Sequence, residues 1–254
     1  MTEVRKLEGH EEMEKAVETM ESCFSGIPDR ELIPDHVFTA LSRHGVLLGA
    51  FREEMVGFAA GFRSGDSLYL HAMGVLPGAR GESVGKDLLR EVCRTARDRG
   101  LESVALTYDP LMPANARLYI HCAGGEAVEF TRDLYGEQQN DTNAGDTPTD
   151  RLHVRIRLDR PDVERFMAGE EAGKQEKPPE TIEDGGEIRE DLPAEVGFPL
   201  PGSLSELEDR EEVRAREKTR EVLGELVERG YVVTGFATEK DGYERSTYVL
   251  EEKR

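Results

Sequence analysis

Residues 71–100 read HAMGVLPGARGESVGKDLLREVCRTARDRG. The small and apolar residues at the start of this stretch predict a β-strand over Ser67–Leu76, with a bulge at Gly74. Apolar residues recur at helical spacing between Val84 and Arg99, and Gly100 ends that predicted helix. A strand, a glycine-containing loop and a helix thus follow one another, and this stretch determines how the rest of the chain is interpreted.

The loop between the strand and the helix has the composition of an anion-binding turn. Backbone N–H groups at a helix N-terminus, together with the helix dipole, favour a phosphate or pyrophosphate. A plain tight turn is the alternative. The loop is not a Walker loop, because no Gly-Lys-Ser/Thr follows four variable residues, and its glycine spacing is wrong for a dinucleotide fingerprint.

The elements around this stretch predict an α/β domain. A short strand, two helices and a strand pair over Val46–Phe51 and Met55–Phe62 precede it. A strand over Ser103–Tyr108, a short helix over Asn115–Cys122 and two further strands follow it. We therefore predict an α/β (α+β) fold with a mixed, mostly antiparallel sheet flanked by helices.

The last third of the chain changes in character. Residues 161–200 include a Glu-, Gly- and Pro-rich stretch that predicts a solvated linker. Residues 201–254 predict a charged helix over Ser205–Arg229 and a β-hairpin. The expected domains are thus 1–160, a linker over 161–200, and a C-terminal helix and hairpin over 201–254.

The composition excludes several classes of protein. The 254 residues carry 33 Lys and Arg against 53 Asp and Glu, a formal charge of −20. Nucleic acids and anionic membranes both require surplus positive charge, so neither is an expected partner. The longest apolar stretch, Gly45–Phe51, is far shorter than the roughly 20 residues of a spanning helix, and the N-terminus has no signal-peptide core. Three widely spaced cysteines predict neither disulfides nor a metal site, and a cytoplasmic protein is expected.

The central stretch resembles the acyl-CoA motif of the GNAT acetyltransferases. The residues that carry the resemblance are Val75-Leu76-Pro77, Arg80, Val84-Gly85 and Leu88-Leu89. A narrower resemblance is to an uncharacterised predicted-acetyltransferase family within GNAT that has a C-terminal extension. It is carried by residues 71–77, 108–111, 115–116, 135–136, 143–145, 148–151, 219–220, 230–231 and 235–236.

The resemblance implies a GNAT fold, acetyl-CoA or another acyl-CoA as co-substrate, and no metal. It also implies which residues bind the cofactor. The backbone of Met73, Gly74 and Val75 would pair with pantetheine and polarise the thioester carbonyl. Around the pyrophosphate would lie the loop residues Arg80, Gly81, Glu82, Ser83, Val84 and Gly85.

Two residues of the loop depart from the GNAT pattern. Ser83 replaces the usual first glycine, and the acidic Glu82 precedes it. A carboxylate beside a pyrophosphate is repulsive, but the repulsion is small when the carboxylate points to solvent. The direction of the Glu82 side chain therefore determines whether this loop suits coenzyme A.

Two residues are candidates for proton transfer. His71 is the candidate general base, because its ordinary pKa suits proton removal near neutrality; a hydrogen-bonded, half-buried histidine is the alternative. Tyr119 is the candidate acid for the CoA thiolate, as implied by the Leu-Tyr pair that many GNAT proteins carry in this helix. Here that pair lies one residue further than usual from Gly124, which rotates Tyr119 by about 100° on a regular helix.

Four more residues are candidate contacts. Asn115 either caps its helix or binds the cofactor arm. Asp109 follows a strand and either contacts substrate or forms a turn. Arg216 and Arg220 share a helical face and could hold a substrate carboxylate, although the neighbouring glutamates favour a solvated charged face.

These observations predict an acyltransferase that moves an acetyl or succinyl group from acyl-CoA to a small-molecule amine by direct attack. An amino acid is the leading acceptor by resemblance, and a homodimer is considered. The alternative is a non-catalytic GNAT-like module that binds CoA ligands as a sensor or an assembly surface.

Overall fold

The computed structural model describes residues 2–25, 32–136, 148–170, 181–182, 188, 191–200, 209–238 and 246–253. The chain divides into two compact units. The first contains Met1–Leu106 and Arg157–Glu170, and the second contains Thr107–Ile156 and Glu171–Arg254.

The first unit is built on antiparallel strands that are adjacent in sequence. These are β1 (Glu3–Lys6), β2 (Val46–Phe51), β3 (Met55–Ser64) and β4 (Ser67–Val75), and each pairs with the next. The start of β5 (Ser103–Tyr108) then pairs with β4 in parallel. The short turns suit the antiparallel pairs, whereas the parallel pair needs the helical crossover that residues 84–98 supply.

Helices pack against these strands through apolar faces. Helices α1 (Gly9–Cys23) and α2 (Asp35–His44) bury Met13, Met20 and Phe38 in one core with Phe58 of β3. Helix α3 (Val84–Asp98) turns a second apolar face inward, which comprises Val84, Leu88, Leu89, Val92, Cys93 and Ala96. Because each fully buried leucine contributes about 1.5–3 kcal/mol, this face fixes the helix and the loop that precedes it.

The second unit holds the remaining strands in the order β7-β6-β9-β10-β8. They are β6 (Glu126–Thr131), β7 (Arg151–Arg157), β8 (Glu195–Leu200), β9 (Tyr231–Thr238) and β10 (Ser246–Glu252). Helix α4 (Pro113–Ala116) continues as a π-helical turn over Arg117–Cys122. Helix α6 (Asp209–Lys218) continues through a second π-helical turn, Thr219–Leu223, into α7 (Gly224–Glu228).

Regular elements occupy both ends of the segment 161–200, which was predicted to be a linker. Residues Pro161–Ala168 form helix α5, and β8 lies at Glu195–Leu200. Helix α5 is anchored because Arg90 and Arg94 donate to the carbonyls of Phe166 and Met167 in its last turn, where carbonyls lack the regular i+4 partner. Most of the Glu- and Pro-rich middle of this segment, and Ser205–Glu208 of the predicted helix, lie outside the described residues.

The predicted fold class is confirmed. The strands form mostly antiparallel pairs with one parallel pair, helices flank them, and a helix and the β9–β10 hairpin end the chain. Among the described residues, no helix is long and apolar enough to cross a membrane.

Candidate active site

Strand β4 carries a β-bulge at the candidate base. Ala60 of β3 pairs with Ala72, whereas the next residue, Gly61, pairs with Leu70, so His71 is the extra residue. The prediction of a bulge at Gly74 was therefore wrong, since Gly74 pairs regularly with Phe58. A bulge bends its strand and redirects one side chain, and here that side chain is His71.

Beyond the bulge, β4 has an edge without a strand partner. Its pairing with β5 covers only Ser67–Tyr69, and from Leu70 onward the described residues give β4 no strand partner other than β3. The Leu76 N–H donates to Val56 O of the β3 side at 2.9 Å. Because an antiparallel ladder alternates, the N–H groups of Met73 and Val75 face the other, open edge.

The open edge leads directly into the predicted anion-binding loop. A 3₁₀ turn at Pro77–Ala79 follows the strand, and Gly81 and Ser83 then adopt the left-handed region with φ of 80° and 67°. Helix α3 starts at Val84, and the Asp87 N–H closes its first turn on Ser83 O. The left-handed residues turn the chain so that the first N–H groups of α3, including those of Val84 and Gly85, have no intrahelical partner.

The Glu82 carboxylate is paired with a cation from another part of the first unit. The Glu82 carboxylate forms an ion pair with Arg52 (Nη2–Oε2 2.6 Å), and 56% of the Glu82 side chain is exposed. Arg52 lies in the turn between β2 and β3, on the side of β4 opposite the open edge. Arg52 was absent from the sequence-based candidates, although the unneutralised carboxylate of Glu82 was a signal to look for a nearby cation.

Arg80 is folded back onto the protein. Its Nε donates to Val75 O at 3.1 Å, and its Nη2 donates to Cys23 O at 3.3 Å. The side chain therefore ties the loop to the end of β4 and to the last residue of α1. Burial raises the pKa of the neighbouring Cys23 thiol to about 11, so this cysteine is a poor nucleophile.

A polar cleft of about 630 Å³ lies beside the loop, lined by Thr2, Arg52, Glu82 and Asp87. Asp87 is paired with Arg90 (Oδ1–Nη1 2.9 Å), as Glu82 is with Arg52. The Glu82 carboxylate thus faces this cleft together with its counter-ion.

His71 lies in a group of aromatic rings. Its ring centroid is 6.1 Å from that of Phe62 and 6.2 Å from that of Tyr69, and these two rings are 5.4 Å apart. His71 keeps an exposed surface, but the groups packed around its ring displace water, and this desolvation lowers its pKa. The imidazole is therefore neutral near pH 7 and able to accept a proton.

Tyr119 lies in the second unit, within the π-helical turn Arg117–Cys122. A π-helical turn accommodates one extra residue, which accounts for the additional residue between the Leu-Tyr pair and Gly124. Its ring packs 5.7 Å from that of Tyr108, and burial raises the pKa of Tyr119 well above the ordinary value. The phenol is therefore protonated at neutral pH.

The structure shows whether Asn115 caps its helix and whether Asp109 forms a turn. Helix α4 has Met112 as its N-cap, so Asn115 lies inside the helix and the capping interpretation was wrong. Asp109 accepts the Leu111 N–H at 2.9 Å through its side chain, as expected for a turn residue. Its second oxygen accepts a bond from Arg216 at 3.0 Å.

The two arginines of the predicted carboxylate clamp already bind carboxylates. Arg216 pairs with Asp109 and Glu212, and only 13% of its side chain is exposed. Burial lowers its pKa, but the two carboxylates more than offset this and raise the pKa above the ordinary value. The prediction that Arg216 lies on a solvated charged face was therefore wrong, because its side chain is enclosed by Asp109 and Glu212.

Arg220 is held in a similar way. It donates to both oxygens of Asp150 (2.6 and 2.9 Å) and to Asp133 (2.7 Å), and these bonds raise its pKa. The partner of the Asp150 side chain is thus the distant Arg220. The sequence does not predict this pair, because 70 residues separate Arg220 from Asp150 and each has oppositely charged residues closer to it in the chain.

Among the described residues, no group of three or more His, Cys, Asp or Glu side chains could hold a metal ion. The features present are backbone N–H groups on an open strand edge, a left-handed loop at a helix N-terminus, and a histidine whose pKa is lowered. The open edge and the loop suit an extended ligand that ends in an anionic group.

One part of the chain matches a known family model. Residues 13–123 match the model of the acetyltransferase (GNAT) family. A comparison with curated protein sequences gives no match.

Solved structures share this fold at low sequence identity. The ribosomal-protein-S18-alanine N-acetyltransferase from Escherichia coli matches with a TM-score of 0.50 and 18% identity, over 63% of this chain and 96% of that one. The diaminobutyrate acetyltransferase EctA from Paenibacillus lautus, solved with L-2,4-diaminobutyric acid and coenzyme A, matches with a TM-score of 0.50 and 16% identity, over 63% and 97%.

Proposed function

We propose that the chain transfers an acetyl or succinyl group from acyl-CoA to a small-molecule amine, with an amino acid as the leading acceptor. The observation that carries this proposal is the continuity of two features. The open edge of β4 is followed directly in the chain by the left-handed loop and the N-terminus of α3, and Arg80 bonds to Val75 O at the end of that edge. An extended amide chain that ends in a pyrophosphate matches this order of groups.

The acyl donor would lie along the open edge. The N–H groups of Met73 and Val75 face this edge and would pair with pantetheine or polarise the thioester carbonyl. Hydrogen bonds to that oxygen strengthen as negative charge develops on it during attack. The N–H groups at the start of α3 would hold the pyrophosphate.

His71 would accept the proton of the attacking ammonium. The free amine then attacks the thioester carbon, a C–N bond forms, and the C–S bond breaks. The departing CoA thiolate takes a proton, and Tyr119 is the proposed donor by resemblance to the Leu-Tyr pair of GNAT proteins. No serine or cysteine nucleophile is needed in this sequence of steps.

The choice of a small acceptor is a proposal that rests on chemistry and precedent. The same fold in the Paenibacillus lautus enzyme was solved with a diamino acid and coenzyme A. In this chain the predicted carboxylate clamp, Arg216 and Arg220, is occupied by internal carboxylates. We therefore no longer assign these two arginines to the acceptor, and an amine without a carboxylate belongs in the panel of acceptors to be tested.

The test has two stages. Acetyl-CoA and succinyl-CoA at millimolar concentration should raise the melting temperature of the protein, and lack of any stabilisation would contradict CoA binding. Release of free thiol is then measured with a panel of amino acids, diamines and amines that lack a carboxylate. Release that depends on one acceptor supports the enzyme, whereas binding without release by any acceptor favours the sensor or assembly module.

A further inference from the structure

We propose that Arg52 makes the Glu82-containing loop able to bind a pyrophosphate, by holding the Glu82 carboxylate on the β3 side of β4. The inference rests on the proposed use of acyl-CoA. It assigns to Arg52 the role of a positioning residue, which acts through Glu82 rather than through contact with the ligand.

The first argument is the position of Glu82 in the loop. Gly81 and Ser83, on either side of it, are the two left-handed residues that expose the N-terminus of α3. A carboxylate here that was free to rotate would come close to any anion bound at that N-terminus. Two negative charges at such a distance repel each other by more than thermal energy wherever water is partly excluded.

The second argument is the direction in which Glu82 is held. Strand β4 has β3 on one side and an open edge on the other beyond Tyr69. Arg52 follows β2 and belongs to the turn into β3, so the 2.6 Å ion pair draws the carboxylate to the side opposite the open edge. The carboxylate then faces the cleft that Thr2 and Asp87 help to line.

The third argument is the local balance of charge. The other acid of this cleft, Asp87, is paired with Arg90, so the ion pair between Arg52 and Glu82 is not shared with Asp87. Arg52 is only 34% exposed, so its guanidinium is held near the protein surface rather than in open solvent. Replacement of Arg52 would release a carboxylate and remove its partner in a single step.

The experiment measures the Kd of coenzyme A for four proteins: wild type, Arg52→Gln, Glu82→Gln and the double variant. We expect Arg52→Gln to weaken binding on the order of tenfold, which corresponds to about 1.4 kcal/mol. Glu82→Gln alone should stay within about twofold of wild type, because its carboxylate is already paired with Arg52. The double variant should return close to the wild-type Kd.

This pattern separates positioning from the two simpler alternatives. If the charges acted only through the long-range field, Glu82→Gln would tighten binding as much as Arg52→Gln weakens it, and the effects would add. If Arg52 touched the ligand, the double variant would stay weak, and the loss would differ between coenzyme A and dephospho-coenzyme A. Either result would overturn the proposal.

A matched control is available in the same unit. Arg160 is 35% exposed and pairs with Asp162 at 2.8 Å, away from the loop, so Arg160→Gln removes a comparable ion pair. It should leave the Kd within about twofold of wild type. If wild type itself binds no coenzyme A, the proposed function fails; if wild type binds and Arg52→Gln binds equally well, only the inference about Arg52 fails.

Discussion

At the scale of the residue, His71 combines two features. It is the extra residue of a β-bulge, and its pKa is lowered. The bulge removes it from the regular ladder, and desolvation lowers its pKa from the ordinary value of 6.5. A base with a lowered pKa is deprotonated over a wider range of pH, so His71 is available to accept a proton near neutrality, as a weaker base than an ordinary histidine.

The first prediction concerns the pH profile of turnover. In the wild type, kcat/KM should rise with pH and level off at an apparent pKa below 6.5, as His71 loses its proton. His71→Ala should lower kcat by about 10²-fold and abolish this inflection. Steady-state thiol release between pH 5 and 9 checks this, and full turnover by His71→Ala would remove its role as base.

Protonation of His71 also affects the stability of the folded protein. The direction of its pKa shift determines whether stability rises or falls with pH. The unfolded chain binds this proton at a higher pH than the folded chain does. The contribution of neutral His71 to stability is therefore complete above about pH 6.5 and is lost as the pH falls through the folded pKa. Urea unfolding from pH 5 to 7 should show that the free energy of unfolding falls less toward low pH in His71→Ala than in the wild type. An unchanged pH dependence would contradict a lowered pKa of His71.

A second prediction concerns Arg220. Arg220→Gln should lower the free energy of unfolding by about 2 kcal/mol, because Asp150, whose side chain is only 7% exposed, loses its bidentate partner. The cost stays below the roughly 3–5 kcal/mol of a fully buried pair because Arg220 remains partly exposed. Arg229→Gln, which removes an exposed pair with Glu225, should cost less than about 0.5 kcal/mol. Equal losses in urea unfolding would contradict this account of Arg220.

At the scale of the element, the loop between β4 and α3 depends on its left-handed positions. Gly81 has a φ of 80°, whereas Gly78 lies in a 3₁₀ turn without a positive φ; neither has an atom within 4 Å of an added Cβ. The two glycines therefore differ in backbone conformation and not in available space.

The third prediction uses this difference. Gly81→Ala should destabilise the protein by about 1 kcal/mol, because an L-residue with a Cβ is strained in the left-handed region. Gly78→Ala should be neutral or slightly stabilising, since alanine restricts the unfolded chain. Thermal unfolding of both variants checks this. A stability loss of the same size in Gly78→Ala would indicate that crowding, not backbone strain, limits the loop.

The elements also show which features the sequence reveals. The strand, loop and helix over 71–100 could be predicted because their signals are local: an apolar run, glycines, and helical spacing. The bulge at His71 could not be placed, because it depends on the register of β3, a different strand. Helix α5 and β8 were missed because both are short and lie next to a polar, Pro-rich segment.

Side-chain partners were harder to predict than elements. The residues of the candidate substrate clamp were correctly placed on one helix, but their partners Asp109, Asp133 and Asp150 come from distant parts of the sequence. The partner of Glu82 is 30 residues away in a hairpin turn. Charge alone predicts that such groups need partners, and only the fold determines which ones they have.

At the scale of the whole molecule, the excess of 20 negative charges acts on all elements at once. Repulsion among like charges destabilises a compact state, and added salt screens it.

The fourth prediction follows from this charge. Raising NaCl from 0.05 to 0.5 M at pH 7 should increase the melting temperature by a few degrees. Near pH 4.8, where the net charge is close to zero, the same salt should have little effect. Differential scanning calorimetry at both pH values checks this, and an equal increase at both would assign the effect to something other than charge repulsion.

The path of the chain through the two units has a consequence for synthesis. The chain leaves the first unit after Leu106, returns for Arg157–Glu170, and then completes the second unit. On the ribosome, the first unit can close once residue 170 has emerged, whereas β6 and β7 must wait for β9 and β10, which are made about 70–100 residues after β7. At about 5–20 residues per second this wait lasts several seconds. The apolar side chains of β6 and β7 are therefore the part of the newborn chain most in need of a chaperone.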